Sequence, residues 1–361
     1  MDEGLLLRIV AAEVALVVLA LVVLVGHAAW SASRRRRQGP RLAGAARTLA
    51  AAVEGTEPDR EALDELAGLS RRAQIAVFGR LGGSLGGIQK QRLVQLAAEV
   101  GLLERAEQWC TARRWGQRLR GARVLTLLGG GQGVVPRLLD DPRPEVRAQA
   151  AQWAAGHPEA ASIERLLSML GDPEVLCRFT VKDSLLRLGR PATEPLLRYL
   201  SEADGAPVAE ALDVAAGIAD ARFLAPALEL CGAPDARTRA LAATLAGSVG
   251  GTQATGALTA LLRDAHPDVR AAAAKALGKL GHWPAAGSLA ECLRDPSWDV
   301  RRAAAVALRA FGAAGVLLLR RALTDRDRFA RDMARQVLEL PADGADPVAH
   351  AGARDLAPVA V

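Results

Sequence analysis

The sequence predicts an all-α protein, a stacked solenoid of about eight helix pairs behind one membrane-crossing helix. Three observations carry this. First, a phrase recurs about every 31 residues. Asp264-Ala-His-Pro-Asp-Val-Arg270, followed by Ala271 to Ala274 and Ala276-Leu277-Gly278, returns as Asp295-Pro-Ser-Trp-Asp-Val-Arg301, followed by Ala303 to Ala305 and Ala307-Leu308. A period of that size marks stacked helical repeats. Second, no stretch alternates convincingly with period two over five or more residues, which argues against β-structure. Third, residues 5–29 are almost wholly apolar. That is enough to cross a bilayer at ~1.5 Å of helical rise per residue.

The chain begins with this apolar run. Val14 to Val25 contains no polar side chain, and Arg34-Arg-Arg-Arg37 follows, with Arg41 and Arg47 behind and Asp2 and Glu3 in front. Basic flanks stay in the cytoplasm. The N-terminus is therefore expected outside and the bulk of the chain inside, in a single-pass arrangement. A cleaved secretory signal would need a basic front and a shorter apolar core. Glu13 is an acid within the run. Its carboxylate either reaches the headgroup zone or pairs with a polar group on another membrane protein, because a charge within a span is costly to leave unpaired.

A basic juxtamembrane segment is expected over 30–58, and a helical part with poor repeat match over 59–110. The repeats proper run over 111–340. They are tracked by one slot, an Arg after a small or β-branched residue: Arg118, Arg147, Arg178, Arg237, Arg270, Arg301 and Arg331. The double step between Arg178 and Arg237 spans a degenerate unit in which Ala209 takes the slot. Each unit reads as an apolar first helix, an Asp or Pro turn and an Ala-rich second helix stopped by Gly. Pro suits a first helical position, Asp a cap, and Gly a left-handed C-terminus. Residues 341–361, rich in Ala, Pro, Gly and Asp, are expected to be disordered.

This pattern, D-P-x-x-x-V-R-x-x-A-A-x-A-L-G-x-L-G, resembles the HEAT repeat, in the short bacterial form related to repeats of phycobilin-lyase proteins. The resemblance covers about two-thirds of the chain. It implies that the slot Arg and turn Asp of successive units interact, so the slot residues above, with Asp141, Asp172, Asp264 and Asp295, would form an internal ladder. A gap, and a softer solenoid, is expected at Ala209. The resemblance also implies that second helices line the concave face, where Gln149, Lys275 and Arg302 would look into the groove.

Composition narrows the function. The net charge is +6 over 361 residues, but residues 31–50 hold six Arg and no acid, and residues 51–361 carry a net of only +2. With one Tyr in the whole chain, a base-stacking nucleic-acid surface is not expected. Cys110, Cys177, Cys231 and Cys292 form no CxxC pair. They read as small buried hydrophobes in a reducing compartment. The glycine runs at 82–87 and 129–133 lack the strand context of a dinucleotide fingerprint and the Lys-Ser/Thr of a phosphate loop, and so read as helix-joining loops. The five His have no acidic, His or Cys partner at metal-ligand spacing. No catalytic residue, cofactor, metal or small-molecule substrate is expected.

Trp283 and Trp298 stand in turns, where each is either a partner anchor or a local plug. With Glu13 and Arg302 they are the partner-binding candidates. The expected function is a membrane-anchored cytoplasmic scaffold at the bacterial inner membrane, holding a protein partner such as a membrane polysaccharide glycosyltransferase complex. A phycobilin-lyase-like protein acting on a prosthetic group or its acceptor, and a nucleic-acid-binding solenoid, are the alternatives.

Overall fold

The computed structural model describes residues 41–55, 60–202 and 206–340. All regular structure among them is helical, with no strand. The chain divides into two compact units, Met1–Trp153 and Ala154–Val361, so the division falls inside the region expected to be one run of repeats. No described helix is long and apolar enough to cross a membrane. The expected span over 5–29, with Glu13, and the tail 341–361 lie outside the described residues.

The first unit opens with helix α1 over residues 41–54, where only a basic segment was expected. Its apolar stripe explains it: Ala45, Leu49 and Val53 recur every four residues and are buried. Then come α2 (Arg60–Ala67), α3 (Arg71–Gly82), α4 (Gly87–Glu99), α5 (Leu102–Cys110) and α6 (Trp115–Leu128). The next pair is asymmetric, with only a 3-10 turn over Pro136–Asp140 before α7 (Pro144–Ala154). The cause lies in the glycine run between them. Gly129, Gly130 and Gly131 all have positive φ, a conformation that L side chains resist. A Cβ on Gly131 would also stand 2.8 Å from the side chains of Leu125 and Val135. The turned backbone brings the Gly130 carbonyl to the indole N–H of Trp153, which donates to it at 2.8 Å. The run is therefore a structural loop that satisfies a fully buried tryptophan.

The second unit alternates first and second helices: α8 (Ala160–Ser168), α9 (Val175–Leu188), α10 (Arg190–Glu202), α11 (Ala206–Ile218), α12 (Leu224–Leu230), α13 (Ala236–Val249), α14 (Gln253–Leu261), α15 (Pro267–Lys279), α16 (Ala286–Glu291), α17 (Trp298–Ala310), α18 (Ala313–Ala322) and α19 (Arg328–Glu339). The residue before each slot Arg anchors the second helix in the core, and Cys177, Val269 and Val300 are all fully buried. The second helices approach closely because their contact points are Ala or Gly. A Cβ on Gly247 would lie 2.6 Å from Ala276 Cβ, and one on Gly278 the same distance from Ala307 Cβ. The two contacts are one repeat apart. Helices end at left-handed residues, Gly189, Gly250, Gly281 and Gly312. In the degenerate unit Ala219 takes that place at φ 54°, a position that costs a non-glycine residue roughly 1–2 kcal/mol.

Candidate interaction surface

The slot arginine does two jobs with one planar group. Its Nη1 always turns back to its own unit, donating to the two carbonyls of the preceding turn. Arg118 donates to Ala112 and Arg113, Arg147 to Asp141 and Pro142, Arg178 to Asp172 and Pro173, and Arg239 to Ala233 and Pro234. Arg270, Arg301 and Arg331 do the same to the pairs beginning at Asp264, Asp295 and Asp325. These carbonyls have no helical donor, so the guanidinium satisfies groups that would otherwise be orphaned.

At Arg118, Arg239 and Arg270 the other edge of the guanidinium reaches the next repeat. Arg118 holds Asp141 through Nε–Oδ2 at 2.5 Å and Nη2–Oδ1 at 2.9 Å. Arg239 holds Asp264 at 2.8 and 2.9 Å, and Arg270 holds Asp295 at 2.7 and 2.8 Å. Each aspartate also caps its own turn. The backbone N–H of Arg143, Glu174, His266 and Ser297 donates to Asp141, Asp172, Asp264 and Asp295. Hydrogen bonds from Arg239 hold the Asp264 carboxyl below the usual carboxylate range. For Asp295 burial is the largest influence and pushes upward, but Arg270, the Ser297 amide and nearby Arg301 together outweigh it, and the net direction is down.

The structure moves two positions of this ladder. Arg237 is not the slot residue of α13; Arg239 is. The slot stands four residues after the N-cap, as in Asp235/Arg239, His266/Arg270 and Ser297/Arg301. The reading that took Ala236-Arg237 as the small-residue-plus-Arg pair passed over Thr238-Arg239, in which Thr238 is the buried β-branched residue. In α11 counting back from the C-terminal end gives Val208, not Ala209, because the slot stands eleven residues before the closing residue, as in Arg239/Gly250 and Arg270/Gly281. Ala219 N–H closes α11 on the Ala215 carbonyl as Gly250 closes α13 on Ala246. Val208 is buried, and Ala233 occupies the place its aspartate would take. Both partners of that rung are replaced together, so neither is left as a lone charge.

The missing rung is bridged elsewhere. Lys182 on α9 pairs with Glu210 and, at 2.8 Å, with Asp213 on α11. Glu210 in turn pairs with Arg237 on α13 at 2.5 Å. Three successive second helices are thus tied at the surface where the interior tie is absent. At the other end Asp325 is taken by Arg294, at 2.7 Å. Arg301 lays its guanidinium over the Phe329 ring instead, 4.7 Å from the centroid.

The exposed face of the second helices carries two of the partner-binding candidates, Trp298 and Arg302, whereas Trp283 lies on the 3-10 turn Trp283–Ala285. Trp298 is half-exposed at the first turn of α17, with the Arg302 guanidinium 5.3 Å from its ring centroid. Val306, one turn on, is also exposed. Trp283 is equally exposed but leans edge-on against Phe311, with centroids 5.8 Å apart. Lys275 is exposed on α15, and Gln149 donates to Thr126 and Gln152. Sequence reasoning missed the most apolar part of this face. Val175, Leu176 and Phe179 on α9 are 70%, 54% and 69% exposed. Their i, i+1, i+4 spacing resembles that of any buried helix stripe, so it gave no warning.

Among the described residues no group of three or more His, Cys, Asp or Glu side chains is placed to hold a metal ion. The four cysteines are buried and form no disulfide. Burial pushes the Cys110 thiol up to about 12 and those of Cys231 and Cys292 to about 11, which suppresses the thiolate that nucleophilic chemistry needs.

Helix pairs, an Ala/Gly seam between second helices and the Arg118–Asp141, Arg239–Asp264 and Arg270–Asp295 rungs between successive repeats define a helical-repeat scaffold. The family profile described as HEAT repeats matches residues 132–216, 221–309 and 255–339, together more than half of the chain. The chain belongs to the HEAT-repeat family. Among solved structures it is similar to importin beta, at 15% identity and TM-score 0.53, over 77% of this chain and 46% of that one. It thus spans a little under half the length of importin beta. An engineered protein matches at 18% identity and TM-score 0.38 over 83% and 98% of the two chains. The CpcE–CpcF complex of phycocyanin lyase from Nostoc sp. PCC7120 matches at 17% identity and TM-score 0.32 over 65% and 93%. At these identities the likeness is one of fold. Comparison with curated proteins gives no match.

Proposed function

We propose that this protein is a non-catalytic scaffold, held to the cytoplasmic face of a bacterial inner membrane by residues 5–29, whose second-helix face docks a membrane-associated protein. The observation that carries the docking reading is the cluster of Val175, Leu176 and Phe179, more than half exposed on a helix whose Cys177, Val181, Leu185 and Leu188 are buried. Large apolar side chains left together on a surface mark interaction sites. The solenoid architecture favours this use, because repeats present an extended surface and no single cleft.

The anchor rests on the sequence: an apolar run of bilayer length with acids before it and four consecutive arginines after it. Tethering would confine the docking face to a thin layer at the membrane and raise the effective concentration of a partner there. A membrane enzyme complex, such as one assembling polysaccharide, is the partner class this placement suits.

Fractionation tests the anchor. The full chain should stay with membranes through alkaline carbonate extraction, and deletion of residues 5–29 should release it. Protease added outside intact cells should leave the solenoid whole. Release of the intact chain by carbonate, or loss of the solenoid to external protease, would overturn the reading.

A further inference from the structure

The first unit holds a second surface feature unrelated to the α9 cluster. A groove of about 560 Å³ opens at the start of α6, lined by Arg113, Arg114, Trp115, Arg118, Pro142 and Arg143 among others. Arg118 is neutralised by Asp141. Arg113, Arg114 and Arg143 have no carboxylate partner among the described residues, and all three are exposed. For Arg113 and Arg114 the local sequence supplies none either, since residues 108–139 contain six Arg and no Asp or Glu. Arg143 lies 5.7 Å from the ring centroid of Trp115, which is itself 41% exposed. Arg114 is the N-cap of α6 and its side chain makes no capping bond. The amides of the first turn therefore add their partial positive charge to the arginines.

We propose that this groove binds the phosphate-bearing headgroups of an anionic membrane surface. Arginine matches phosphate through its planar pair of donors. An indole beside it suits a boundary where one side is apolar and the other wet. The compactness of the cluster decides against nucleic acid. Duplex DNA carries a charge every ~1.7 Å along its axis and recruits cations along a track, whereas these arginines gather at one helix end. The inference rests on the anchored reading above, which puts the unit that follows the apolar run next to the leaflet.

The test uses the full chain with phosphatidylcholine vesicles, with and without phosphatidylglycerol, doped with a lipid carrying a nitroxide on its headgroup. The contribution of Trp115 is the difference in emission between the wild type and W115F. It should be quenched in the phosphatidylglycerol vesicles, fall by about half or more in R113Q/R114Q/R143Q, and be relieved by high salt. The three substitutions fall on exposed side chains that make no capping or ladder bond, and far-ultraviolet circular dichroism checks that they fold. Carbonate resistance without Trp115 quenching overturns this proposal and leaves the anchor standing. Quenching of a carbonate-extractable chain upholds the groove and removes the anchor. Unquenched Trp115 together with arginine-dependent binding of a DNA duplex replaces the lipid with nucleic acid.

Discussion

Arg270 and Asp295 join successive repeats by two parallel hydrogen bonds, Nε to Oδ2 at 2.7 Å and Nη2 to Oδ1 at 2.8 Å, while the third nitrogen of the same guanidinium holds the carbonyls of Asp264 and Ala265. Five donors in one plane make this possible, and an ammonium has no such geometry. Arg270→Lys should therefore destabilise the second unit nearly as much as Arg270→Gln. Both should cost roughly 1–3 kcal/mol, the price of leaving a largely buried carboxylate and turn carbonyls short of donors. Urea unfolding of the full chain in detergent measures it, and a Lys variant equal to wild type would refute the two-job account.

The rungs also set the response to acid. Asp264 and Asp295 have folded-state pKa values below their unfolded ones, near ~3.9. A depressed carboxylate contributes stability that is present above the unfolded value and is lost as pH falls through the folded one. The urea midpoint should hold from neutral pH to about 4 and then drop steeply. In D264N/D295N the midpoint at neutral pH should already be lower, and the further drop in acid smaller. Equal acid slopes in the two proteins would remove the rungs from the explanation.

Arg237 and Arg239 are two residues apart and do different work. Arg239 is largely shielded and bidentate on Asp264, whereas Arg237 is 61% exposed and makes one surface contact with Glu210. Surface pairs contribute little. Arg239→Gln should lower the unfolding midpoint clearly more than Arg237→Gln. The reverse order would restore Arg237 to the slot.

Gly278 offers a test of the helix seam. Gly→Ala inside a helix normally gains up to ~1 kcal/mol. Here the new methyl would meet Ala307 Cβ at 2.6 Å and Cα at 2.8 Å. The overpacking should cost roughly 1–3 kcal/mol and outweigh the gain. A thermal melt of G278A more stable than wild type would show that the seam is looser than described.

These residues show what the sequence made legible. Period, helix type and turn chemistry were readable because each is local: Pro267 begins a helix and Gly312 ends one whatever surrounds them. The slot was readable where the phrase was intact, as at Arg270 and Arg301. It slipped where the turn Asp became Ala233, since the Arg then had to be picked by its neighbour and not by its spacing. Arg239 lies 31 residues before Arg270, so strict spacing would have found it. The Lys182–Glu210–Arg237 tie could not be read, because it depends on which faces of three helices meet. The same holds for Val175 and Phe179, whose apolar character predicts burial until the neighbours of α9 are known.

The central claim is that the α9 face is where a membrane protein docks. A photo-crosslinking amino acid placed at Phe179 in living cells tests it most directly, with Arg165 on α8 as the control position. The account predicts one discrete adduct from position 179, containing an integral membrane protein and abolished by V175D. The same smear from both positions, or an adduct that survives V175D, would contradict it.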